Sequence, residues 1–298
     1  MKCLACYGEV YSIETGEYHP RCSKLLFDSY SPPVLKYSLD EARSISGASG
    51  SIFLEVQKIG SERRLVLPAR PSGGSESAGS FFLRLPGESH EQPAELESTT
   101  LDIAHILGVH TAKHGFAKLS SGELAFIARR FGFAGDNTNK AGSYAVEVPP
   151  INSMEEAGKL ITELSDAPGL DAVRFLERIV FCSITGAADV NFSMHSNGAV
   201  GTRLTNAYDL FPNGMINAEQ NYIFNLPLNG RKTGITKNDF LQLASSIRVN
   251  RKAAENVFDS FSQKIWEALG CMDKGFLHKD TIEKYRDFIK ERASLISL

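Results

Sequence analysis

Apolar and polar residues alternate with two different periods along this chain. Short runs of period-two alternation, bounded by Gly, Pro or Ser, predict β-strands in the first part of the chain. The predicted strands are Ile52–Lys58, Arg63–Pro68, Phe81–Leu85, Ala112–Leu119 and Leu124–Arg130. One helical pattern, Glu95–Leu107, lies among them and ends at Gly108. The first part of the chain is therefore predicted to form an antiparallel sheet with one helix.

Helical spacing dominates after Pro150. Ser153 and Glu156 have the spacing of a capping box at the start of a predicted helix. The predicted helices are Met154–Leu164, Leu170–Thr185, Lys237–Ser246, Arg251–Leu269 and Lys279–Ile296, with two short strands at Val190–His195 and Val200–Thr205. A sheet-rich first part and a helical second part predict a bilobal α+β protein.

The connecting segments suggest where the domains begin and end. Paired prolines make Asp28–Lys36 an extended linker, and Ser44–Ser51 is predicted to be a Ser/Gly-rich turn. Gly132–Pro150 has little periodicity, which favours an inter-lobe connection or a mobile loop. The expected domains are an N-terminal hairpin module, a β-rich lobe and a helical lobe, at residues 1–28, 37–131 and 151–298.

Composition limits the class of protein. With 298 residues, of which 42% are hydrophobic and 22% charged, the chain is long enough to bury a core in each of two lobes. No apolar run approaches the ~20 residues of a membrane span, and the sequence MKCLACYGEV lacks the order of a signal peptide, so we expect a cytoplasmic protein. The formal net charge of -3 argues against direct nucleic-acid binding.

The N-terminus carries a candidate metal site. Three of the five cysteines lie beside a histidine with the spacing C-x2-C-x12-H-x2-C, at Cys3, Cys6, His19 and Cys22. Four such ligands predict a structural zinc ion, because no coordination position remains open for water. The alternative is a set of reduced, uncoordinated thiols on a hairpin at Tyr7–Tyr18 that turns near Gly16. Cys182 and Cys271 fall on apolar helix faces and are predicted to be core residues.

Several strings, taken in order, resemble the HipA-like kinases, and especially the short HipT-type members found in bacterial toxin–antitoxin operons. They are CLACYGEVYSIETGEYHPRCSKLLF, SFFLRLPGESHEQPAELESTTLDIAHILGV, GELAFIARRF, APGLDAVRFLERIVFCSITGAADVNFS, LTNAYDLFP and LNGRKTGITKNDF. The resemblance spans nearly the whole chain. It implies a kinase fold with a β-rich N-lobe, a helical C-lobe and an Mg-ATP site between them.

The nucleotide-binding motifs of the family are altered here. The resemblance places the phosphate-covering loop at Gly47, Ser49 and Ser51, where Gln-Pro-Lys of the family is replaced; a flexible hairpin turn is the alternative. The family lysine corresponds to Arg84, whose planar fork differs in shape from an ammonium group. Glu97 matches the family carboxylate that would pair with it, although a Glu near a helix N-terminus is also favoured by the helix dipole alone.

The catalytic loop departs most from the family. Relatives have a string like G-N-x-D-x-H-x-K-N-F-S, whereas this chain has GAADVNFS, with the base position at Asp189 and the metal-binding Asn at Asn191. One residue separates them instead of four, so on extended backbone both side chains would point to one face roughly 7 Å apart. The metal-binding Asp of the family corresponds to Asp209, which is intact; a turn carboxylate is the alternative.

These departures favour a pseudokinase with a binding or regulatory role in a toxin–antitoxin-type system. An active ATP-dependent Ser/Thr protein kinase with a remodelled loop, acting on a protein target, remains the alternative, since Asp189, Asn191, Asp209 and Glu97 are retained. A zinc-finger nucleic-acid binder is opposed by the net charge. The resemblance to short HipT-type chains also implies a small antitoxin-like protein partner.

Overall fold

The computed structural model describes residues 1–11, 17–47, 50–68, 79–87, 92–130, 144–146, 149–187, 192–197, 201–216 and 224–298. The chain divides into two units. The sheet unit comprises Met1–Ser98 and Ala112–Asn139, and the helical unit comprises Thr99–Thr111 and Lys140–Leu298. The predicted mixed α+β class is confirmed, with strands concentrated in the sheet unit and helices in the helical unit.

The sheet unit is built on a six-stranded sheet with the order β1-β3-β2-β4-β6-β5. Its strands are β1 (Val34–Leu35), β2 (Ser51–Ile59), β3 (Glu62–Val66), β4 (Phe81–Arg84), β5 (His114–Lys118) and β6 (Leu124–Arg129). β1 pairs with β3 in parallel and the other pairs are antiparallel. In β4, Phe81 and Leu83 are buried while Phe82 and Arg84 are half-buried, which is the period-two alternation that predicted the strand.

The helices of the sheet unit are α1 (Pro20–Phe27) and α2 (Leu39–Ser46), and α3 (Pro93–Leu107) begins in the sheet unit and continues into the helical unit from Thr99 onwards. The first two were not predicted, and the predicted turn at Ser44–Ser51 is wrong for its first three residues, which end α2. The cause is a capping box in which Ser38 and Glu41 bond each other's backbone N–H groups. The predicted helix Glu95–Leu107 is confirmed and corresponds to α3.

The helical unit holds the remaining elements. They are β7 (Tyr144–Val146), α4 (Met154–Leu164), α5 (Pro168–Thr185), β8 (Met194–Asn197), β9 (Gly201–Leu204), α6 (Asn213–Ile216), α7 (Lys237–Ser246), α8 (Arg251–Gly270) and α9 (Lys279–Leu295). The five predicted helices are confirmed, and β8 and β9 form a strand pair where one was predicted. β8 shares only Met194 and His195 with the predicted strand Val190–His195: Phe192 and Ser193 are not in a strand, and Val190 and Asn191 lie outside the described residues. β7, which adds a third strand beside β8, was not predicted. The other parts of Gly132–Pro150 up to residue 148 lie outside the described residues.

A buried carboxylate joins α5 to β9. Asp171 is fully buried and accepts two hydrogen bonds of 3.0 Å from the Arg203 guanidinium. Ser165 Oγ donates to it at 2.6 Å and the backbone N–H of Leu204 at 3.0 Å. Burial raises the pKa of Asp171, but these hydrogen bonds lower it more, so its pKa lies below the ordinary value. The ionised carboxylate thus anchors the strand to the central helix.

A second carboxylate closes the loop before α7. Asp239, only 2% exposed, accepts hydrogen bonds from Thr236, Asn229 and Arg231. Burial raises its pKa, but the hydrogen bonds lower it further, so that the pKa of Asp239 falls to about 2. The negative charge therefore stabilises both the loop and the N-terminus of α7.

We expect Asp239→Asn to lower the free energy of unfolding by about 2 kcal/mol at pH 7, because one pKa unit corresponds to about 1.4 kcal/mol. A lowered pKa contributes stability above the unfolded value near 4, and that contribution is lost as the pH falls toward 2. Urea unfolding of both proteins at several pH values tests this. The difference should be constant from pH 7 to 5 and shrink below about pH 4. A difference that does not change with pH would contradict the assignment to charge.

No helix in the described part of the chain is long and apolar enough to cross a membrane.

Candidate metal cluster and kinase-motif residues

The structure brings the four predicted ligands at the N-terminus together. The candidate ligand atoms of Cys3, Cys6, His19 and Cys22 all lie within 4.8 Å of one another. His19 Nδ1 is 3.2 Å from Cys6 Sγ and 3.9 Å from Cys22 Sγ. In a tetrahedral site with Zn–S near 2.3 Å, neighbouring ligand atoms are about 3.5–3.8 Å apart. The cluster has the size and the donor set of a metal site.

Local backbone geometry presents the ligands. Tyr7 adopts a left-handed conformation with φ 59°, which turns the chain directly after Cys6. The Tyr7 N–H donates to the Cys3 carbonyl at 3.0 Å, and the Cys3 N–H to the Gly8 carbonyl at 2.8 Å. The second ligand pair lies where α1 begins, with His19 at its N-cap position. The part of the predicted hairpin at residues 12–16, including Gly16, lies outside the described residues.

Hydrogen bonding fixes which imidazole nitrogen faces the sulfurs. His19 Nε2 lies 3.0 Å from the Glu9 carbonyl oxygen and can only donate to it. Nδ1, facing Cys6 and Cys22, is then the nitrogen with the free lone pair. This is the arrangement that metal-bound histidines commonly have, with the second ring nitrogen donating to a carbonyl.

The thiols differ in acidity. Burial raises the pKa of Cys3, but the N–H groups of Ala5, Cys6 and His19 near its sulfur lower it more, so its pKa falls to about 7. Burial and the adjacent sulfurs raise the pKa of Cys22 to about 12. Three thiolates packed this closely repel one another, so a bound cation is what would hold all of them ionised together.

In the sheet unit, Arg84 and Glu97 form the predicted ion pair. Arg84 Nε donates to the Glu97 carboxylate, which is 1% exposed. The guanidinium also lies over the Phe82 ring at 5.3 Å from its centroid. Phe82 was not singled out from the sequence, although period-two alternation places it on the same sheet face as Arg84. The arginine side chain is therefore oriented by both a buried carboxylate and an aromatic ring.

Arg84→Met is expected to cost about 3 kcal/mol of unfolding free energy, since removing one partner of a buried pair leaves the other charge desolvated. Arg64→Met is the matched control in the same sheet. Arg64 pairs with Glu62 at 2.7 Å, but these side chains are 31% and 44% exposed, so a loss below about 1 kcal/mol is expected. Urea denaturation measures both. Equal losses would show that Glu97 does not depend on Arg84 for compensation.

The Ser/Gly segment leads directly to this pair. Gly47 ends α2 with φ 55°, and Ser51 begins β2, where it is the register partner of Arg84. The Leu85 N–H donates to the Gly50 carbonyl at 3.0 Å. Ser49 lies outside the described residues. The structure thus places Ser51 beside Arg84, and the role of the segment in phosphate binding stays a prediction.

In the helical unit, the segment that carries Asp209 is held from two sides. The Ala207 N–H donates to the His110 carbonyl at 2.7 Å, and the Tyr208 and Ser193 hydroxyls share a hydrogen bond of 2.5 Å. Asp209 itself is half-buried, with a left-handed φ of 53°. Its backbone direction is therefore fixed, as a ligand position requires.

The other two kinase-motif residues, Asp189 and Asn191, lie outside the described residues. The start of their loop is described. Gly186 ends α5, and its carbonyl accepts a hydrogen bond of 2.8 Å from the Gly214 N–H, a few residues beyond Asp209. A Cβ atom on Gly186 would lie 2.8 Å from the Phe288 ring. The end of α5 and the segment that follows Asp209 therefore meet at Gly186 and Gly214.

Comparison with known structures shows that this is the fold of a HipA kinase. The chain is similar to HipA of Shewanella oneidensis MR-1, from a complex of HipA, HipB and operator DNA, with 13% identity and a TM-score of 0.54. The match covers 84% of this chain and 64% of that one, so this chain spans less than two thirds of the length of that HipA. It also matches the Helicobacter pylori proinflammatory kinase CtkA at 14% identity and a TM-score of 0.46, covering 72% of this chain and 87% of that one.

The sequence gives the family. The model of the HipA-like C-terminal domain matches residues 44–269, which is more than half of the chain. The chain therefore belongs to the family of HipA-like proteins, as its motifs predicted. No curated protein sequence matches the chain.

Proposed function

We propose that this protein is a HipA-like pseudokinase with a binding or regulatory role in a toxin–antitoxin-type system. The observation that carries the proposal is the shortened catalytic loop, in which only Val190 separates Asp189 from Asn191. A kinase uses the Asp to orient the substrate hydroxyl and the Asn to bind Mg²⁺, and these tasks need separate positions.

The geometry around Arg84 supports the same proposal. A kinase needs a cation that reaches the phosphates of ATP. The pairing of Arg84 with Glu97 matches the cation–carboxylate pair of a working kinase, but the guanidinium also lies over Phe82, and reaching a phosphate would compete with that contact. Arginine also presents a planar fork where the family has a compact ammonium.

An active protein kinase with a remodelled loop is the second candidate. Asp209 is retained and its segment is fixed by hydrogen bonds, which suits a metal ligand. Incubation with radiolabelled ATP distinguishes the two functions. The pseudokinase proposal predicts no label above the blank on the protein itself or on a generic substrate.

We further propose that the Cys/His cluster holds one structural zinc ion. Three thiolates and one imidazole suit zinc, and four protein ligands leave no position for catalytic water. The proposed domains are this module at residues 1–28, a β-rich part at 37–131 that carries Arg84, and a helical part at 151–298 that carries Asp209.

A small antitoxin-like protein is the proposed partner. The Shewanella HipA occurs in a complex with HipB and operator DNA, and this chain has the same fold. The net charge of -3 suits a protein partner better than direct contact with DNA. Such a system would act in the cytoplasm. Co-expression with a small HipB-like protein, followed by size-exclusion chromatography, tests the association.

A further inference from the structure

The turn from Cys3 to Cys6 covers the edge of the six-stranded sheet that is formed by β5. β5 is the last strand in the sheet order, so none of the strands in the described ranges pairs with its outer side. The Phe116 N–H of β5 donates to the Leu4 carbonyl at 2.8 Å, and the Leu4 N–H donates to the Glu17 carbonyl at 2.9 Å. Leu4 lies between two cysteines of the cluster. The segment Cys3–Cys6 therefore supplies two thiols and also hydrogen-bonds to the edge strand β5.

The contact is close and is reinforced. A Cβ atom on Gly115 would lie 2.8 Å from the Leu4 carbonyl oxygen and 3.3 Å from Ala5 Cα, so the turn can approach β5 this closely only over a glycine. The Tyr18 hydroxyl donates to the Phe116 carbonyl. Beyond it, Lys118 Nζ pairs with Glu17 at 2.9 Å. The turn and the residues before α1 thus act together as a cap on β5.

The solvent-accessible thiols among the five cysteines lie in this cap. Cys6 is exposed and Cys22 is half-buried, while Cys3 is buried against them. All three candidate sulfur ligands lie within 4.8 Å of one another. The remaining two cysteines, Cys182 and Cys271, are buried in the helical unit at 0% and 9% exposure. Oxidants in solution therefore meet the cluster first.

We propose that the Cys3, Cys6 and Cys22 cluster is an oxidation site for peroxides, and that its oxidation releases the cap from strand β5. The Cys6 sulfur takes one oxygen atom from the peroxide as water leaves, giving a sulfenic acid. A second cluster thiol attacks that sulfur, the S–S bond forms and a second water leaves. Two thiols thus lose two electrons and two protons, and hydrogen peroxide becomes two waters.

Geometry connects this chemistry to the cap. A disulfide brings two sulfurs to about 2.05 Å and fixes the dihedral angle between them, and we infer that the turn carrying Cys6 shifts to reach this geometry. The expected release of zinc rests on the proposed zinc site. An ion that loses two of its four ligands to the disulfide would be expelled. Movement of the turn breaks the hydrogen bond that the Phe116 N–H of β5 donates to the Leu4 carbonyl.

The experiment treats the natural, zinc-loaded protein with hydrogen peroxide. Peptide mapping is expected to find one disulfide per chain within the cluster and unmodified Cys182 and Cys271. A chromogenic chelator should report release of the ion. Deuterium exchange of the β5 amides, Phe116 above all, should accelerate by at least about tenfold because the edge becomes locally open. Reduction and re-addition of zinc should restore protection.

Two variants test whether oxidation of the cluster and release of the cap are coupled. Gly115→Ala displaces the cap through the Leu4 carbonyl without changing a thiol. If oxidation and cap release are coupled, this variant must also be oxidised more readily, because coupling between two events is reciprocal. The double variant Cys182→Ser and Cys271→Ser is the matched control, and it should behave as the natural protein does.

Two results would overturn the inference: a cluster disulfide with unchanged exchange at Phe116, or equal oxidation of the buried cysteines. Failure of the zinc proposal and failure of the oxidation-site proposal give different results. Protein without zinc that still forms the disulfide and exposes β5 refutes only the metal. Zinc that is present and retained under peroxide refutes the oxidation site and leaves the metal proposal standing.

Discussion

Removing the metal from the N-terminal cluster is expected to lower the free energy of unfolding of the sheet unit by about 4 kcal/mol, among the largest effects that a single site produces. The ion would join the Cys3–Cys6 turn to His19 and Cys22 at the start of α1. Those elements cover β5 and continue into the core, where the Tyr18 ring meets Phe27 at 5.5 Å between centroids. For a unit of this size the melting temperature should fall by about 15 °C.

The measurement combines elemental analysis with thermal melting of untagged protein, with and without a chelator. One zinc per chain and a chelator-dependent fall in melting temperature are expected. Cys22→Ser should show the same fall and no further response to the chelator. Cys271→Ser, which changes a buried thiol outside the cluster, should keep both the zinc and the response. Protein without stoichiometric zinc and with unchanged melting would contradict the metal site.

The cluster also shows what ligand spacing can and cannot predict. The C-x2-C and H-x2-C pairs are local, and each forms within one turn of chain, so their ligand geometry follows from the sequence. The contact of Leu4 with Phe116 joins distant parts of the chain. No local pattern predicts which strand edge a turn will cover, because that depends on the order of strands in the sheet.

Secondary structure was also predicted well where the pattern is local and poorly where it depends on tertiary contacts. The bounds of α4 and α7 coincide with the predicted helices because apolar periodicity runs through their whole length. α1 and α2 have eight residues each, too few for a clear period, although Pro20 and the Ser38 capping box were available signals. β7 has three residues and exists through pairing with β8, which is a tertiary contact.

The kinase-motif residues were likewise predicted only in part. The resemblance to the family strings identified the Arg84–Glu97 pair, because both residues match family positions and lie in regular elements, one at the end of β4 and the other near the start of α3. The contact of the Arg84 guanidinium with the Phe82 ring was not predicted, since two side chains on one sheet face can point in several directions. The roles of Asp189, Asn191 and Asp209 stay predictions, which activity measurements must test.

The protein is expected not to transfer phosphate to itself or to a generic substrate at a measurable rate. Transfer requires the nucleophile, the γ-phosphate and Mg²⁺ in line, and misplacement by about 1 Å can cost roughly 10²-fold in rate. The loop with Asp189 and Asn191 is three residues shorter than in relatives, a change too large for a side-chain rotation to absorb. Arg84, the second support, presents a planar guanidinium where the family has the compact ammonium group of lysine.

The decisive assay compares the natural protein with Asp209→Asn under radiolabelled MgATP, beside a HipA-like kinase with the full motifs as positive control. Since two supports are altered, we expect labelling at least about 10²-fold below the positive control, although losses within one catalytic unit do not add simply. Calorimetric titration with MgATP separates binding from chemistry: weak binding that Asp209→Asn abolishes agrees with a pseudokinase that keeps a nucleotide site. Robust labelling of the natural protein that disappears in Asp209→Asn would refute the pseudokinase proposal, because it would show that Asp189 and Asn191 work at their shortened spacing.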